Sequence, residues 1–309
     1  MATCIEAVAT SGGRRGLPAH RTRRLADEAA RLCLASAGRQ AGEVDLLINA
    51  GIYHDRNIGE PAVAALIQED IGANPGHPPV AGHGTFSFDL YNGACGVLTA
   101  VSLLDGFLAS GTIGLGMVVA SDAAADHGGA GARFPAVGGA VLLSRTDARR
   151  GFSAFRIDTY PEFADRFHSE VHWVSRRLPG RARSAGGLAT RRGRNVLTIE
   201  EADDYLLRTL ECTERSVKEL VADAGMGIAD LDAVVGAGPA PGFCAAVAGR
   251  LGISPPPVLP ADRLAGAHTA GMLVALDAAV RSGLLSGTGT VLLVSAGSGI
   301  TVSAALYRL

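Results

Sequence analysis

Aromatic side chains make up only 5% of this 309-residue chain, with a single tryptophan and four methionines. A core so short of large rings must be filled by aliphatic and small residues, which suits helices lying close against sheets. Cysteines number five, at positions 4, 33, 95, 212 and 244. That odd, scattered set excludes a disulfide framework. The net charge is −2, so the chain carries no general attraction for nucleic acid or for an anionic membrane surface. Long hydrophobic runs are missing too. The longest, 97–104 and 291–296, fall well short of the roughly 20 residues a spanning helix needs. Arg14 and Arg15 are followed by no apolar block, so the N-terminus lacks a secretory profile and a cytoplasmic protein is expected. No His/Cys spacing fits a zinc site. No glycine-rich segment joins strand, Gly-x-Gly-x-x-Gly and helix in order. Neither a metal nor another cofactor is expected.

What is abundant is glycine, 41 residues, within a composition that is 48% hydrophobic. The chain can bury a large core, as one large domain or two. Comparing the chain with itself shows two echoing halves. A helix near 22–37 leads into the strand 44–51, and a helix near 200–224 leads into the strand 231–238. Each strand is followed by a loop and a further helix, 60–72 and 241–251. Later, a helix from about Cys95 ends at Ser110-Gly111 and enters the strand 115–121. Its counterpart from about His268 ends at Ser282-Gly283 and enters the strand 291–296. One more strand closes each half, 138–144 and 299–307. Alternating strands and helices with near-continuous apolar strands predict parallel-rich sheets covered by helices, here as a duplicated α/β unit. The halves divide into residues 1–155 and 156–309, the second opening with an arginine-rich excursion at 161–195.

One thiol stands out. The strand-like run from Thr85 to Tyr91 breaks at Asn92-Gly93, and a long apolar helix starts at about Cys95. That places the sulfur at a helix N-terminus, where unpaired N–H groups and the macrodipole favour thiolate. Gly93, Ala94 and Gly96 leave room for another group to approach. The alternative is a buried, inert cysteine. Sliding the two long helices onto each other by their Ser-Gly ends puts His268 beside the equivalent of Gly96. The duplication therefore predicts a thiol and an imidazole at matching helix starts, a Cys–His pair.

The sequence resembles the thiolase superfamily and, within it, the ketoacyl-acyl-carrier-protein synthase III branch. The residues that carry the likeness are Phe88-Asp89 with Asn92-Gly93-Ala94-Cys95-Gly96, Val118 to Asp122, and Gly138 to Leu143. They continue with Ala246 to Gly252, Ala275 to Val280, and Gly297 to Thr301. The match runs in order along nearly the whole chain. It implies a five-layered α-β-α-β-α fold made of two pseudo-symmetric halves, usually a homodimer. It also implies a Cys95 nucleophile and an oxyanion hole from the backbone N–H groups of Cys95 and Gly299.

The departures bear on the reaction. Condensing members of the family carry a His-Gln-Ala-Asn motif and a Gly-Asn-Thr motif, whose His and Asn hold a carbonyl oxygen during loss of CO₂. Here the first place reads Gly236-Ala237-Gly238-Pro239-Ala240, and the second Gly266-Ala267-His268-Thr269. Removing one donor to a developing oxyanion costs about 10²–10³ in rate. Losing both would cripple a Claisen condensation unless His268 replaces part of the pair. Some members of the branch with a His so placed make esters instead, and this sequence is similar to those. His268 would act as general base, with Asp262 a candidate to orient its ring.

The family's N-terminal Trp and Arg that grip coenzyme A have no counterpart; the single Trp is Trp173. Arginines instead crowd the 161–195 excursion, among them Arg176, Arg177 and Arg181. A basic surface suits the acidic helix of an acyl carrier protein; a solvated loop with dimer contacts would look the same. His54, His77, His83 and His127 sit in weaker contexts. The reading favoured here is an acyltransferase of secondary metabolism. It would take an acyl group from a carrier-protein or coenzyme A thioester through Cys95 to a small hydroxyl or amine acceptor. A decarboxylative condensing enzyme and a non-catalytic partner subunit are the alternatives.

Overall fold

Strands whose residues are apolar on both faces belong inside a layered sheet, and the runs noted above fold accordingly. The structure is a computed structural model that describes residues 2–12, 22–52, 61–73, 84–122, 134–148, 150–175, 193–254, 264 and 266–309. The first half runs β1 (Ala2–Gly12), α1 (Thr22–Ala37), β2 (Leu46–Asn49), α2 (Val63–Ile71), β3 (Phe86–Asp89), α3 (Gly96–Ser110), β4 (Leu115–Asp122) and β5 (Val137–Thr146). The second runs β6 (Gly151–Thr159), β7 (Phe167–Ser175), β8 (Gly193–Glu201), α4 (Tyr205–Asp223), β9 (Ala233–Ala237), α5 (Phe243–Leu251), α6 (Gly271–Arg281), β10 (Thr290–Gly297) and β11 (Thr301–Arg308).

The duplication is written in the strand order. One sheet is β1-β5-β4-β2-β3 and the other β6-β11-β10-β9. Each begins with two antiparallel pairings (β1 with β5 and β5 with β4; β6 with β11 and β11 with β10) and continues with a parallel one (β4 with β2; β10 with β9). The first sheet carries β3 as an additional edge strand, parallel to β2. Between the sheets lie α3 and α6, sharing one apolar core with the inner faces of both. Outside them, α1 and α2 cover the first sheet, and α4 and α5 the second. These are the five α-β-α-β-α layers.

Small residues set the layer spacing. At Gly139 a Cβ would lie 2.5 Å from Leu273 Cβ of α6, so only glycine lets that helix sit on β5. Gly111, at φ 74, ends α3 in the left-handed conformation that other residues avoid. The segment Gly93–Ser110 is long and apolar enough to cross a membrane by composition. Its Val97, Leu98, Val101 and Leu104 are instead buried in the core between the sheets.

Three expectations are corrected here. Residues 2–12 form a full strand that pairs with β5, although no strand is read there from the sequence. Second, the 155/156 divide falls inside β6, which pairs from Gly151 to Thr159 with β11 of the second sheet. Third, the arginine-rich excursion is not wholly irregular. Phe167–Ser175 and Gly193–Glu201 pair as an antiparallel two-stranded arm.

A buried acid on α1 gives the fold a pH dependence. Asp27 is 5% exposed, and burial, with Asp70 beside it, pushes its carboxyl up to about 7 from 3.8. The folded chain therefore holds a proton that the unfolded chain releases, and stability falls as pH rises from about 4 to 7. Asp27→Asn removes that penalty. Its melting temperature is expected above the wild type at pH 8, by about 1–3 kcal/mol of stability, with the two curves converging near pH 4. Equal melting temperatures at pH 8 would refute the assignment.

Candidate active site

The Asn92–Cys95 turn is tied down at both ends. Asp89, at the end of β3, accepts hydrogen bonds from the N–H groups of Val63 and Ala64, both at 2.8 Å, and from Asn49 Nδ2 at 3.0 Å. It thus caps α2 and fixes the exit of its own strand. Gly93 takes φ 49, and the Cys95 N–H donates to the Asn92 carbonyl at 2.9 Å, closing a single 3₁₀ turn. Thr99 Oγ1 donates to the Cys95 carbonyl at 2.9 Å and accepts from Asn92 Nδ2 at 3.0 Å. Cys95 is the N-cap residue of α3, the position the sequence predicted.

The environment of the sulfur differs from expectation. Cys95 is wholly buried, and its thiol donates to the carbonyls of Thr301 (3.3 Å) and Ser295 (3.6 Å) on β11 and β10. Burial pushes the thiol up to about 11, against the pull of the Ser303 hydroxyl and backbone N–H. All five cysteines are free and buried. Burial likewise lifts Cys212 to about 11 and Cys33 and Cys244 to about 12. Thus desolvation outweighs the predicted thiolate preference, and Cys95 differs from the others by its helix-terminal position and its polar neighbours.

His268 does not begin a helix. α6 starts at Gly271, and 268–270 form a turn ahead of it. That turn is built on Asp122, the last residue of β4 and fully buried. Its carboxylate accepts from the N–H groups of His268 (2.7 Å), Thr269 (3.0 Å) and Ala270 (3.3 Å), and from Thr269 Oγ1 at 2.5 Å. One half of the duplication thereby holds the active turn of the other. The imidazole stacks on Phe134, with centroids 5.0 Å apart. Its Nε2 faces the nucleophile turn, 3.8 Å from where a Cβ on Gly93 would stand. Burial lowers the His268 pKa below 6.5, with the Asp122 charge opposing, so the ring is neutral at pH 7. Asp122 itself is raised, by burial first, against its hydrogen bonds and the imidazole.

Beside this turn, Gly236–Gly238, Phe243, Gly266, Ala267 and Gly271 line an open, largely apolar cavity of about 220 Å³. A Cβ at Gly238 would come within 2.3 Å of the Phe243 ring.

The chain is similar to known proteins in sequence and in fold. The family described as 3-oxoacyl-[acyl-carrier-protein (ACP)] synthase III C terminal matches residues 221–309. A beta-ketoacyl-[acyl-carrier-protein] synthase III of Acidiphilium cryptum is 28% identical over 289 residues, covering 91% of this chain and 82% of its own. The corresponding protein of Streptococcus pneumoniae is 28% identical over 289 residues, covering 90% and 81%. Among solved structures, OleA of Xanthomonas campestris superposes with a TM-score of 0.77 at 15% identity, covering 100% of this chain and 99% of its own. The 3-oxoacyl-[acyl-carrier-protein] synthase III of Aquifex aeolicus gives 0.75 at 17% identity, covering both chains fully at 100%. The chain is similar to these synthase III proteins in sequence, and its fold is the thiolase-like one of the solved structures.

In this synthase III-like chain, the sequence-predicted residues are only partly brought together. Cys95 and His268 both lie at the 92–95 turn, the sulfur against the carbonyls of Thr301 and Ser295 and the imidazole Nε2 near Gly93. The Cys95 N–H, expected in an oxyanion hole, donates to the Asn92 carbonyl at 2.9 Å. Gly299 sits at φ 111 in the short β10–β11 connection. The neighbouring Gly297 backs onto the nucleophile turn, where a Cβ would lie 3.4 Å from Ala94 Cβ. Asp262, Arg176, Arg177 and Arg181 lie outside the described residues, as do His54, His77, His83 and His127. Three residues were not anticipated as site residues: Asp122, Ser303 and Phe243. Asp122 and Ser303 leave a trace in the sequence, as polar residues ending or interrupting otherwise apolar strands. Phe243 leaves none, since its place against Gly238 is set by the turn that precedes α5.

Proposed function

We propose that this chain is an acyltransferase working through a Cys95 acyl-enzyme. The observation that carries the reading is the joint state of the two motif places. At 236–240 the backbone is glycine, alanine and proline, with the Phe243 ring against Gly238, so no side chain there can donate to an enolate. At 268 a neutral imidazole faces the nucleophile turn. One base and one nucleophile suffice for acyl transfer, whereas decarboxylative condensation needs donors aimed at the developing enolate oxygen.

In the first step the Cys95 sulfur attacks the donor thioester carbonyl. The carbon–sulfur bond to the carrier breaks, and the carrier leaves as a thiol carrying the proton from Cys95. In the second, the acceptor hydroxyl or amine gives its proton to His268 and attacks the acyl carbon. The bond to Cys95 then breaks, leaving an ester or amide. The Gly299 N–H is the proposed donor to the oxyanion, and Asp262 the group that orients the imidazole. The cavity beside 266–271 is the proposed acceptor pocket, its apolar walls suited to a small, largely uncharged group. Arg176, Arg177 and Arg181 form the proposed landing surface for an acidic carrier protein, with coenzyme A thioesters as the other donor class. A homodimer is proposed through the β3 edge, where Phe86 is 64% exposed.

The synthase III relatives favour a second reading, decarboxylative condensation, and one experiment separates the two. The protein is incubated with acyl-carrier and acyl-CoA donors, its intact mass is recorded, and the loaded protein is offered hydroxyl and amine acceptors or malonyl-carrier protein. Acyl transfer predicts an adduct on Cys95, discharge to an acceptor, and no CO₂ above the level of a Cys95→Ala control. Stoichiometric CO₂ release with a β-ketoacyl product would establish condensation instead. No adduct from any donor would leave only the partner-subunit role.

A further inference from the structure

Directly beneath the nucleophile turn, β10 and β11 carry two serines in register, Ser295 opposite Ser303. Both are completely buried; among the described residues neither hydroxyl meets a well-formed hydrogen-bond partner, and the Ser303 hydroxyl lies beside the Cys95 sulfur. Leaving a buried hydroxyl unsatisfied costs on the order of 1–3 kcal/mol, so two side by side in an otherwise apolar hairpin call for a reason.

Their direction is fixed by strand alternation. Val294, Ala296, Val302 and Ala304 point into the core under α4 and α5, while Leu293 and Ala305 point into the core shared with α3. Ser295 and Ser303 therefore face the α3 side. Gly297 shares that face, and a Cβ there would touch Ala94 at 3.4 Å. The Cys95 thiol meets the same patch, donating to the carbonyls of Ser295 and Thr301. In the thiol state these carbonyls accept the S–H, and the Ser303 hydroxyl has only a weakly accepting sulfur beside it. When the sulfur ionises, the roles reverse. A thiolate has no proton for a carbonyl, and two hydroxyl donors lie beside it.

We propose that Ser303, with Ser295 next to it, is a positioning residue that donates a hydrogen bond to the Cys95 thiolate and so stabilises the reactive form of a buried nucleophile. Each hydroxyl keeps its own proton; the proton of the thiol leaves with the base or the departing carrier thiol. Burial raises the thiol pKa, and the Ser303 hydroxyl and N–H work in the opposite direction. Other titratable groups near the nucleophile are His268, facing the turn through Gly93, Asp122 behind His268, Tyr205, which interacts with Cys95, and the hydrogen-bonded Asp89 and Tyr91 just before the turn. The proposal rests on Cys95 being the nucleophile of the reading above, but it concerns thiol ionisation alone.

The test needs no acyl donor. The rate of Cys95 alkylation by iodoacetamide, read peptide by peptide in the intact folded chain, is followed against pH for the wild type, Ser303→Ala, Ser303→Thr and Ser295→Ala/Ser303→Ala. Ser303→Ala is expected to slow alkylation near neutral pH about tenfold, through a thiol pKa about one unit higher. Its rate at the high-pH plateau should stay at the wild-type value and its melting temperature should not fall, because alanine removes a buried hydroxyl without a strong partner. The double variant is expected to move further, and Ser303→Thr to retain most of the reactivity. An unshifted pH profile in the double variant, or a wild-type Cys95 that is never alkylated in the folded chain, would overturn the proposal. Failure of acyl transfer with an unchanged dependence on Ser303 would instead count against the acyltransferase reading alone.

Discussion

Asp122→Ala is expected to destabilise the protein by about 3–5 kcal/mol, measured as a fall in the urea midpoint at constant slope. The magnitude follows from what the carboxylate holds. Three backbone N–H groups and the Thr269 hydroxyl converge on it in a site with no solvent exposure. Each donor stranded without a partner in such a place costs about 1–3 kcal/mol, less whatever relaxation recovers. A domain's whole stability is only about 5–15 kcal/mol. Asp122→Asn should fall between wild type and alanine. It keeps one acceptor oxygen but turns an N–H₂ toward backbone N–H groups that also donate. The same bonds join the end of β4 to the turn before α6, so the loss should loosen His268 as well. An alanine variant with the wild-type midpoint would show that the 268–270 turn is held by something other than Asp122.

The architecture was largely legible because duplication leaves a periodic trace. The α1 boundaries 22–37 coincide with the expected helix, and the apolar runs at 115–121 and 291–296 are β4 and β10. What failed was local detail that tertiary contacts decide. No strand is read at β1, whose apolar pattern Thr3, Glu6 and Thr10 interrupt. It is a strand because β5 offers a paired edge from Ala2 to Gly12. His268 was placed on a helix by sliding Ser-Gly ends together, yet α6 is shorter at its start than α3. The reason is a carboxylate from the other half, which binds the N–H groups of 268–270 and fixes them as a turn. The hydrogen bond of the Cys95 N–H was equally hidden, because Gly93 permits a 3₁₀ turn whose closing bond uses that N–H. The site chemistry was legible only as residue types. Which way the sulfur and imidazole point depends on Ser295, Ser303, Asp122 and Phe134, none of which spacing alone could single out.

His268→Ala is expected to lower the rate of acyl discharge from loaded Cys95 to an acceptor by about 10²–10⁴, the usual span for a positioned general base. The pH dependence carries the stronger test. Burial holds the imidazole pKa below its ordinary 6.5, so the neutral, proton-accepting form persists on the acid side of neutrality. Discharge in the wild type should therefore stay level as pH falls through 6.5 and decline only below it. In His268→Ala that acid limb should disappear along with most of the rate. The Asp122 charge opposes the burial effect, so Asp122→Asn should carry the limb to still lower pH wherever the protein remains folded. The folded ring also binds its proton less readily than the unfolded one. As a consequence, this residue withdraws stability as pH drops below about 6.5, and His268→Ala should lose less stability than the wild type between pH 6.5 and 5. A discharge rate equal to wild type in His268→Ala, with the acid limb intact, would remove the imidazole from the reaction and hand the proton to another base near the cavity.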